Sequence, residues 1–325
     1  MTGLLTTSVG SLPKPDYLTK ARAAFAAGKL DRAELDKLTL KATEEYIRMQ
    51  ERLGVDILVH GEMERGDMVA YFGELLSESM KLGGLVRSYG NRYYHKPVIT
   101  GELHWQGPMT VDMWRFAQGL TDRPVKGMLT GPYTIVEWSF DEHYPTRADA
   151  VRAMAAVVRR EAEELVKAGA KYVQVDEPAA STRPEEMDLV IEALDIVTKD
   201  LGAKTITHIC YGDFASVIDH IARLPVDQLD LEMANSDYAL LDVIRRQDHF
   251  DKELAMGVVD SHSHAIEPLE EVKAGIKKGL ELLPPERLYI DPDCGLKTRT
   301  PEEAEAKLRV LTQAALEVKQ ELGIN

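Results

Sequence analysis

Short apolar runs alternate along the chain with longer stretches in which apolar residues recur at helical spacing. Most of the short runs begin apolar and end in polar residues, and they cover residues 4–11, 57–62, 125–132, 172–177, 204–210, 228–233, 253–260 and 288–294. Strands that alternate with helices are typical of βα units and a parallel sheet. Eight such units predict an α/β fold built as a single (β/α)8 TIM barrel, with an open, doubly wound sheet as the alternative.

Two of the helical stretches carry boundary signals. One lies between the third and fourth predicted strands and precedes Gly169, a residue suited to a helix C-cap. The last stretch opens with Thr300, Pro301 and Glu303, which form a capping box with proline at the first helical position. The sequence therefore predicts a helix end at Gly169 and a helix start at Thr300.

Two insertions interrupt the repeat of strands and helices. Residues 13–55 predict two extra helices after the first strand, and residues 77–124 predict an irregular Gly- and Tyr-rich segment followed by a further helix. Neither a Pro/Ser-rich linker nor an internal repeat divides the sequence. We therefore expect residues 1–325 to form one domain.

Composition and charge exclude several classes of protein. Hydrophobic residues make up 44% and charged residues 29% of the 325 positions, which is globular composition. The net charge of −15 disfavours binding to nucleic acid or to anionic membranes. No apolar run approaches the roughly 18 residues of a membrane span, and the first residues lack a basic secretory segment. We expect a cytoplasmic protein.

Reactive side chains are concentrated at the predicted strand ends. In barrel enzymes the active site is built where the strands end. The side chains at these positions are Ser11, His60, Glu62, Asp176, Glu177, His208, Cys210, Glu232, Asp260, His262 and Cys294. Burying several carboxylates together is costly, so this pattern favours a functional site over a structural one.

Four of these residues suit a metal ion. His208 and Cys210 are two positions apart and point to the same side of one strand, while Glu232 and Cys294 lie on other strand ends. Two thiolates, an imidazole and a carboxylate are ligands that Zn²⁺ accepts. The alternative is a buried cysteine beside a hydrogen-bonded histidine. Because the chain has only two cysteines, a disulfide framework is excluded.

Seven motifs in the sequence resemble the catalytic barrel of cobalamin-independent methionine synthase. They are TTSVGSLP, GEMERGDMVAYFGE, TGPYTIVEWSF, VQVDEPA, THICYGDF, VVDSHS and IDPDCGLKTR, and they extend over nearly the whole chain. The resemblance implies a zinc-dependent methyltransferase that forms L-methionine from L-homocysteine, with the zinc ligands His208, Cys210, Glu232 and Cys294. The usual enzyme of this family has two barrels, and this chain resembles the C-terminal one.

The resemblance also implies where homocysteine binds. Its ammonium group would pair with Glu62 and Asp176, and its carboxylate would be bound by the segment Val9, Gly10 and Ser11. A structural role remains open for both acidic residues: a salt bridge to Arg65 for Glu62, and a cap of the strand end for Asp176. Carboxylates facing an ammonium favour an amino-acid thiol as the methyl acceptor.

The methyl donor is the open part of the resemblance. His262 matches the family's proton donor to a departing N5 amine, and Arg92 and Trp138 match pterin contacts. The segment after Glu177 is shorter than the family pattern, and a second barrel is missing from the resemblance. Both departures favour a methylated corrinoid (methylcobalamin, or a corrinoid protein partner) slightly over 5-methyltetrahydrofolate.

Two other classes of function remain as alternatives. A zinc-dependent alkyltransferase to another small thiol, such as coenzyme M, would use the same metal ligands. Coenzyme M carries a sulfonate and no ammonium, so Glu62 and Asp176 would have no substrate group to bind. A zinc-binding scaffold without catalysis is the second alternative, and it predicts no loss of turnover when Glu62 is changed.

Overall fold

The computed structural model describes residues 3–87, 93–210, 219–246 and 250–324. Its strands are β1 (Leu5–Thr6), β2 (Met80–Arg87), β3 (Tyr93–Ile99), β4 (Gly127–Thr130), β5 (Phe140–Asp141), β6 (Tyr172–Asp176), β7 (Lys204–Ile209), β8 (Gln228–Leu231), β9 (Glu253–Val259) and β10 (Leu288–Pro292). Its helices are α1 (Asp16–Ala26), α2 (Arg32–Leu53), α3 (Ala70–Leu75), α4 (Val111–Gly119), α5 (Pro132–Glu137), α6 (Arg147–Ala168), α7 (Met187–Thr198), α8 (Ala239–Arg245), α9 (Leu269–Leu280) and α10 (Pro301–Leu322).

Contacts divide the chain into two compact units. The first unit comprises residues 1–64, 113–126 and 229–325, and the second comprises residues 65–112 and 127–228. The expectation that the whole chain forms one domain stays a prediction.

The first unit is built on parallel strands in the order β1-β10-β9-β8. Leu5 is paired with Tyr289, and Leu288 with Leu254, so β10 lies between β1 and β9. The helices α9 and α10 pack on each other. Helix α10 begins with the predicted capping box, in which Thr300 and Glu303 each bond the backbone of the other. The two predicted helices after the first strand are present as α1 and α2.

The second unit contains the parallel strands β4, β6 and β7, with β6 in the middle. Thr130 is paired with Asp176, so β4 and β6 end side by side. Helix α6 packs on α7 and ends, as predicted, at Gly169, whose φ of 112° is the left-handed conformation of a C-cap.

Two sequence predictions about secondary structure were wrong. Residues 80–87 and 93–99 are not irregular; they form an antiparallel hairpin, β2 and β3. Most of the β2 side chains are exposed, which removes the apolar alternation that reveals a strand. Residues 57–62 form only isolated bridges, at Leu58 and Gly61, instead of a continuous strand. Gly61 and Glu62 have φ values of 82° and 58°, and such a left-handed pair turns the chain out of an extended path.

Candidate functional site

In the first unit, Asp293 connects two of the predicted metal ligands. Asp293 is buried, precedes Cys294 in the chain, and accepts backbone N–H groups from the three residues after Glu232. These residues are Met233 and Ala234, which bond Oδ1 at 2.8 Å, and Asn235, which bonds Oδ2 at 2.8 Å. Burial raises the pKa of Asp293 to about 6, although the three N–H groups oppose the rise. The carboxylate therefore fixes the chain just after Glu232 to the chain just before Cys294.

His262 lies beside the same two ligands. Its Nε2 is 3.6 Å from Glu232 Oε2. The contact with the Glu232 carboxylate raises the pKa of His262, burial opposes that rise, and the negative charge of Cys294 adds to it. The first unit thus groups Glu232, His262 and Cys294, which the sequence assigned to the metal and to proton transfer.

The predicted carboxylate-binding segment runs next to Cys294. Val9 is buried and Ser11 is partly exposed. The N–H of Leu296 donates to Ser11 O at 2.8 Å. A Cβ added to Gly295 would lie 2.1 Å from Ser11 Oγ, so a larger residue here would displace the Ser11 hydroxyl.

Glu62 follows a bend next to Ser11. Ser11 pairs with Gly61 in an isolated parallel bridge, and the N–H of Glu62 donates to His60 Nδ1 at 3.1 Å. Lys14, which sequence reasoning did not select, donates from Nζ to the carbonyl of Glu62 at 3.2 Å. Burial lowers the pKa of Lys14 to about 8, with a further decrease from Arg22. The first unit therefore brings Ser11 and Glu62 to neighbouring backbone positions.

In the second unit, His208 and Cys210 lie at the end of β7. Both are buried, with 3% and 5% of their surface exposed. The adjacent strand ends at Asp176, whose Oδ1 accepts a hydrogen bond from Gln174 at 2.8 Å. The N–H of Glu177 donates to the carbonyl of His208 at 2.9 Å, which holds the ends of β6 and β7 together. The second unit therefore groups His208, Cys210 and Asp176.

Glu177 is a buried carboxylate that sequence reasoning placed at a strand end without a role. It accepts the N–H groups of Tyr133 and Thr134 and the hydroxyl of Thr134, at 3.0, 2.8 and 2.6 Å. Burial raises the pKa of Glu177 to about 7 against these hydrogen bonds. A Cβ added to Gly131 would lie 2.1 Å from the Glu177 carboxyl, so glycine is required there. Glu177 thereby fixes the start of α5 to the end of β6.

The predicted donor-binding residues are described only in part. Trp138 follows α5 and is partly exposed, and its carbonyl accepts the hydroxyl of Tyr94 at 3.1 Å. Trp138 therefore lies beside the hairpin strand β3. Arg92 lies outside the described residues, so the structure gives no position for it.

Two of the four predicted metal ligands lie together in the second unit. His208 and Cys210 at the end of β7 each offer an atom that can bind a metal ion, and we call them the His/Cys group. Sequence reasoning placed Glu177 at a strand end without a role and did not select Asp293, although both carboxylates hold the backbone beside predicted site residues. The close glycines, Gly131 and Gly295, lie within the quoted motifs TGPYTIVEWSF and IDPDCGLKTR.

The fold and these residues define an α/β protein with a candidate metal centre at its strand ends. Residues 4–317 match the family model described as the cobalamin-independent synthase catalytic domain, and the chain belongs to that family. A B12-independent methionine synthase from Shewanella sp. W3-18-1, solved in complex with selenomethionine, superposes with a TM-score of 0.87 at 28% identity. The superposition covers 98% of this chain and 99% of that one, and it confirms the predicted fold class.

Two curated relatives differ in length. A 5-methyltetrahydropteroyltriglutamate–homocysteine methyltransferase of Rhodococcus jostii (strain RHA1) is 42% identical over 98% of this chain, which spans 44% of that protein. A methionine synthase of Sulfolobus acidocaldarius is 36% identical over 99% of this chain, which spans 94% of that protein. Among the described residues, no helix is long and apolar enough to cross a membrane. A cytoplasmic location stays a prediction.

Proposed function

We propose that this chain is a zinc-dependent methyltransferase that forms L-methionine by moving a methyl group to the thiol of L-homocysteine. The observation that carries the proposal is the His/Cys group in a member of the cobalamin-independent synthase family. Thiolates and imidazole are ligands that select Zn²⁺ over the hard cations Mg²⁺ and Ca²⁺.

Glu232 and Cys294 are the other two ligands in this proposal. His262 interacts with both Glu232 and Cys294, and Asp293 fixes the backbone next to each of them. Two thiolates and one carboxylate carry three negative charges, which makes the donor set electron-rich. When bound, zinc supplies positive charge that lowers the pKa of a substrate thiol, so that sulfur is nucleophilic near neutral pH.

The chain's own residues bind the two ends of homocysteine. Glu62 and Asp176 accept hydrogen bonds from its ammonium group, and the segment Val9, Gly10 and Ser11 donates to its carboxylate. The pairing of Ser11 with Gly61 supports this assignment, because it places the donor segment beside the residue that precedes Glu62. The scaffold alternative gives no reason for this arrangement.

His262 holds the proton that the departing amine of the donor receives. Its Nε2 lies 3.6 Å from Oε2 of Glu232, a proposed metal ligand, and this supports the role because the imidazole stands beside the proposed metal centre. The name of the R. jostii relative specifies 5-methyltetrahydropteroyltriglutamate, so a methylated folate with a glutamate tail is the donor that we propose first. Trp138 offers a ring face for the pterin. Methylcobalamin is the alternative donor.

Purified, zinc-loaded protein tests the proposal. Homocysteine is supplied with either 5-methyltetrahydropteroyltriglutamate or methylcobalamin, and methionine is measured by mass spectrometry. We expect methionine with the folate donor; formation with methylcobalamin alone would move the donor assignment to the corrinoid. Coenzyme M replaces homocysteine in a parallel reaction. Alkylation of coenzyme M without any methionine from either donor would overturn the proposal.

A further inference from the structure

The loop that follows β9 carries His262 and is held by a short series of hydrogen bonds. We call residues 260–268 the His262 loop. The N–H of His262 donates to Asp260 Oδ1 at 2.7 Å, and the N–H of Asp260 donates to Glu267 Oε1 at 2.9 Å. The backbone position of His262 therefore depends on Asp260, and that of Asp260 depends on the Glu267 carboxylate.

Glu267 is held in turn by Lys307, a fully buried lysine of α10. Lys307 Nζ lies 2.9 and 3.0 Å from the two carboxylate oxygens of Glu267 and donates to the carbonyl of Ala265 at 2.6 Å. An ammonium group has three protons, and all three acceptors here belong to the His262 loop. A buried charge is tolerated only when it is paired, so Lys307 requires the loop in this conformation.

A second contact between α10 and the loop is weaker. His264 Nδ1 lies 2.9 Å from Glu303 Oε1, but 72% of the His264 side chain is exposed. Exposed ion pairs contribute little to stability. The buried pair of Lys307 and Glu267 is therefore the contact that fixes the loop.

We propose that Lys307 and Glu267 are positioning residues that hold His262 at its place for proton transfer. This inference rests on the proposed function. Neither residue contacts Glu232 or Cys294 in the described contacts, and neither is assigned to substrate. They act through Asp260, because the loop bonds its own backbone through that carboxylate.

A purely structural role is the competing explanation, and the chain offers a matched control for it. Lys273 of α9 is also buried, and its Nζ lies 2.9 Å from Glu317 and 3.0 Å from Glu321 on α10. This contact fastens α9 to α10, and the ion-pair partners of Lys273 are Glu270, Glu317 and Glu321, all outside the His262 loop. Replacing either lysine removes one buried ammonium group and leaves its carboxylate partners without their ion pair. Both changes therefore destabilise the protein by the same mechanism.

The test compares Lys307→Met with Lys273→Met in zinc-loaded full-length protein. We expect both variants to melt at lower temperature than the wild type. We expect only Lys307→Met to lose kcat, about 10- to 100-fold, as a displaced catalytic group does, with the KM for homocysteine changed less than about twofold. Glu267→Ala, with Glu317→Ala as its control, repeats the comparison at a partly exposed position that tolerates substitution better.

Hydrogen exchange gives a readout that does not require turnover. The amides of Asp260 and His262 should exchange faster in Lys307→Met and Glu267→Ala, and remain as in the wild type in the two control variants. Equal kcat values in the Lys307 and Lys273 variants, or unchanged exchange in the loop, would overturn the inference. If the wild type makes no methionine, the proposed function fails, while the exchange measurement still decides whether the pair holds the loop.

Discussion

The two units hold their site residues with the same arrangement, a buried carboxylate next to a predicted site residue in the chain. In the first unit Asp293 precedes Cys294 and accepts three backbone N–H groups from the segment after β8. In the second unit Glu177 follows Asp176 and accepts two backbone N–H groups and one hydroxyl from the start of α5. Each carboxylate thereby joins one strand end to the segment that follows another strand.

The two carboxylates differ in what they fix. Asp293 connects the neighbours of two predicted metal ligands, so its loss should act on metal binding. Glu177 binds the N-terminus of helix α5, where the helix dipole favours an anion. It follows Asp176, the carboxylate predicted to bind the ammonium group of homocysteine. In both units a carboxylate is buried although burial disfavours its charged form, as the raised pKa values of Glu177 and Asp293 show. In return, each carboxylate fixes the backbone at a strand end.

The largest expected effect comes from the two cysteines, one in each unit. Cys210→Ser and Cys294→Ser should each lower zinc affinity and methionine formation by more than about 100-fold, because even outer contacts of a metal site are worth 10- to 100-fold. Zinc content by atomic emission and turnover by mass spectrometry measure both effects. If a variant keeps both zinc and activity, the cysteine that it replaces is not a zinc ligand.

Replacing Asp293 should weaken zinc binding without removing a ligand. We expect Asp293→Ala to lower zinc affinity about 10- to 100-fold, since the backbone beside Glu232 and Cys294 loses its common anchor. Competition with a zinc-binding dye measures the change. Glu177→Ala is the matched control, and an equal loss of zinc affinity there would show that the two carboxylates do not differ as proposed.

The predicted ammonium-binding carboxylates should act on homocysteine and leave zinc in place. Glu62→Gln and Asp176→Asn should each raise the KM for homocysteine about tenfold, the size expected when a charge-assisted hydrogen bond of about 1.5 kcal/mol is lost. Steady-state kinetics and zinc content are measured on the same samples. Unchanged KM in Glu62→Gln would contradict the assignment of homocysteine as the acceptor.

The smallest effect is a pH dependence of stability that separates the two buried carboxylates. The folded-state pKa of Glu177 is raised from 4.5 to about 7, so within that window the folded protein keeps a proton that the unfolded chain has lost. The contribution of Glu177 to stability therefore falls as pH rises, by at most about 1.4 kcal/mol per pH unit, and is constant above about pH 7.

The contribution of Asp293 to stability also falls as pH rises, but the fall ends at a lower pH, because the pKa of Asp293 is raised from 3.8 to about 6. Denaturant unfolding between pH 4 and 8 measures both contributions. Glu177→Gln should remove the part of the decrease in unfolding free energy that extends to pH 7. Asp293→Asn should remove the part that ends near pH 6. Exposed Glu185→Gln should change neither. If Glu177→Gln and Asp293→Asn gave the same dependence of stability on pH, the proposed difference between the two carboxylates would be wrong.

Seven of the eight predicted strands lie where structural strands lie, and the helix boundaries at Gly169 and Thr300 were confirmed. These features are local: an apolar run, a left-handed glycine and a capping box depend on neighbours in the chain. The hairpin of β2 and β3 was missed because most side chains of β2 are exposed, and the strand predicted at residues 57–62 was lost to the left-handed conformation of Gly61 and Glu62.

The sequence alone determined seven of the strands, the helix boundaries at Gly169 and Thr300, the family resemblance, and the residue types that can bind zinc and an amino acid. The tertiary structure decided how those residues are held. Asp293, Glu177 and Lys307 are acidic or basic residues of common type, and their importance follows from burial and from partners 58 to 60, 43 to 44 and 40 to 42 residues away. Such contacts depend on chain closure over long loops, which no local pattern records.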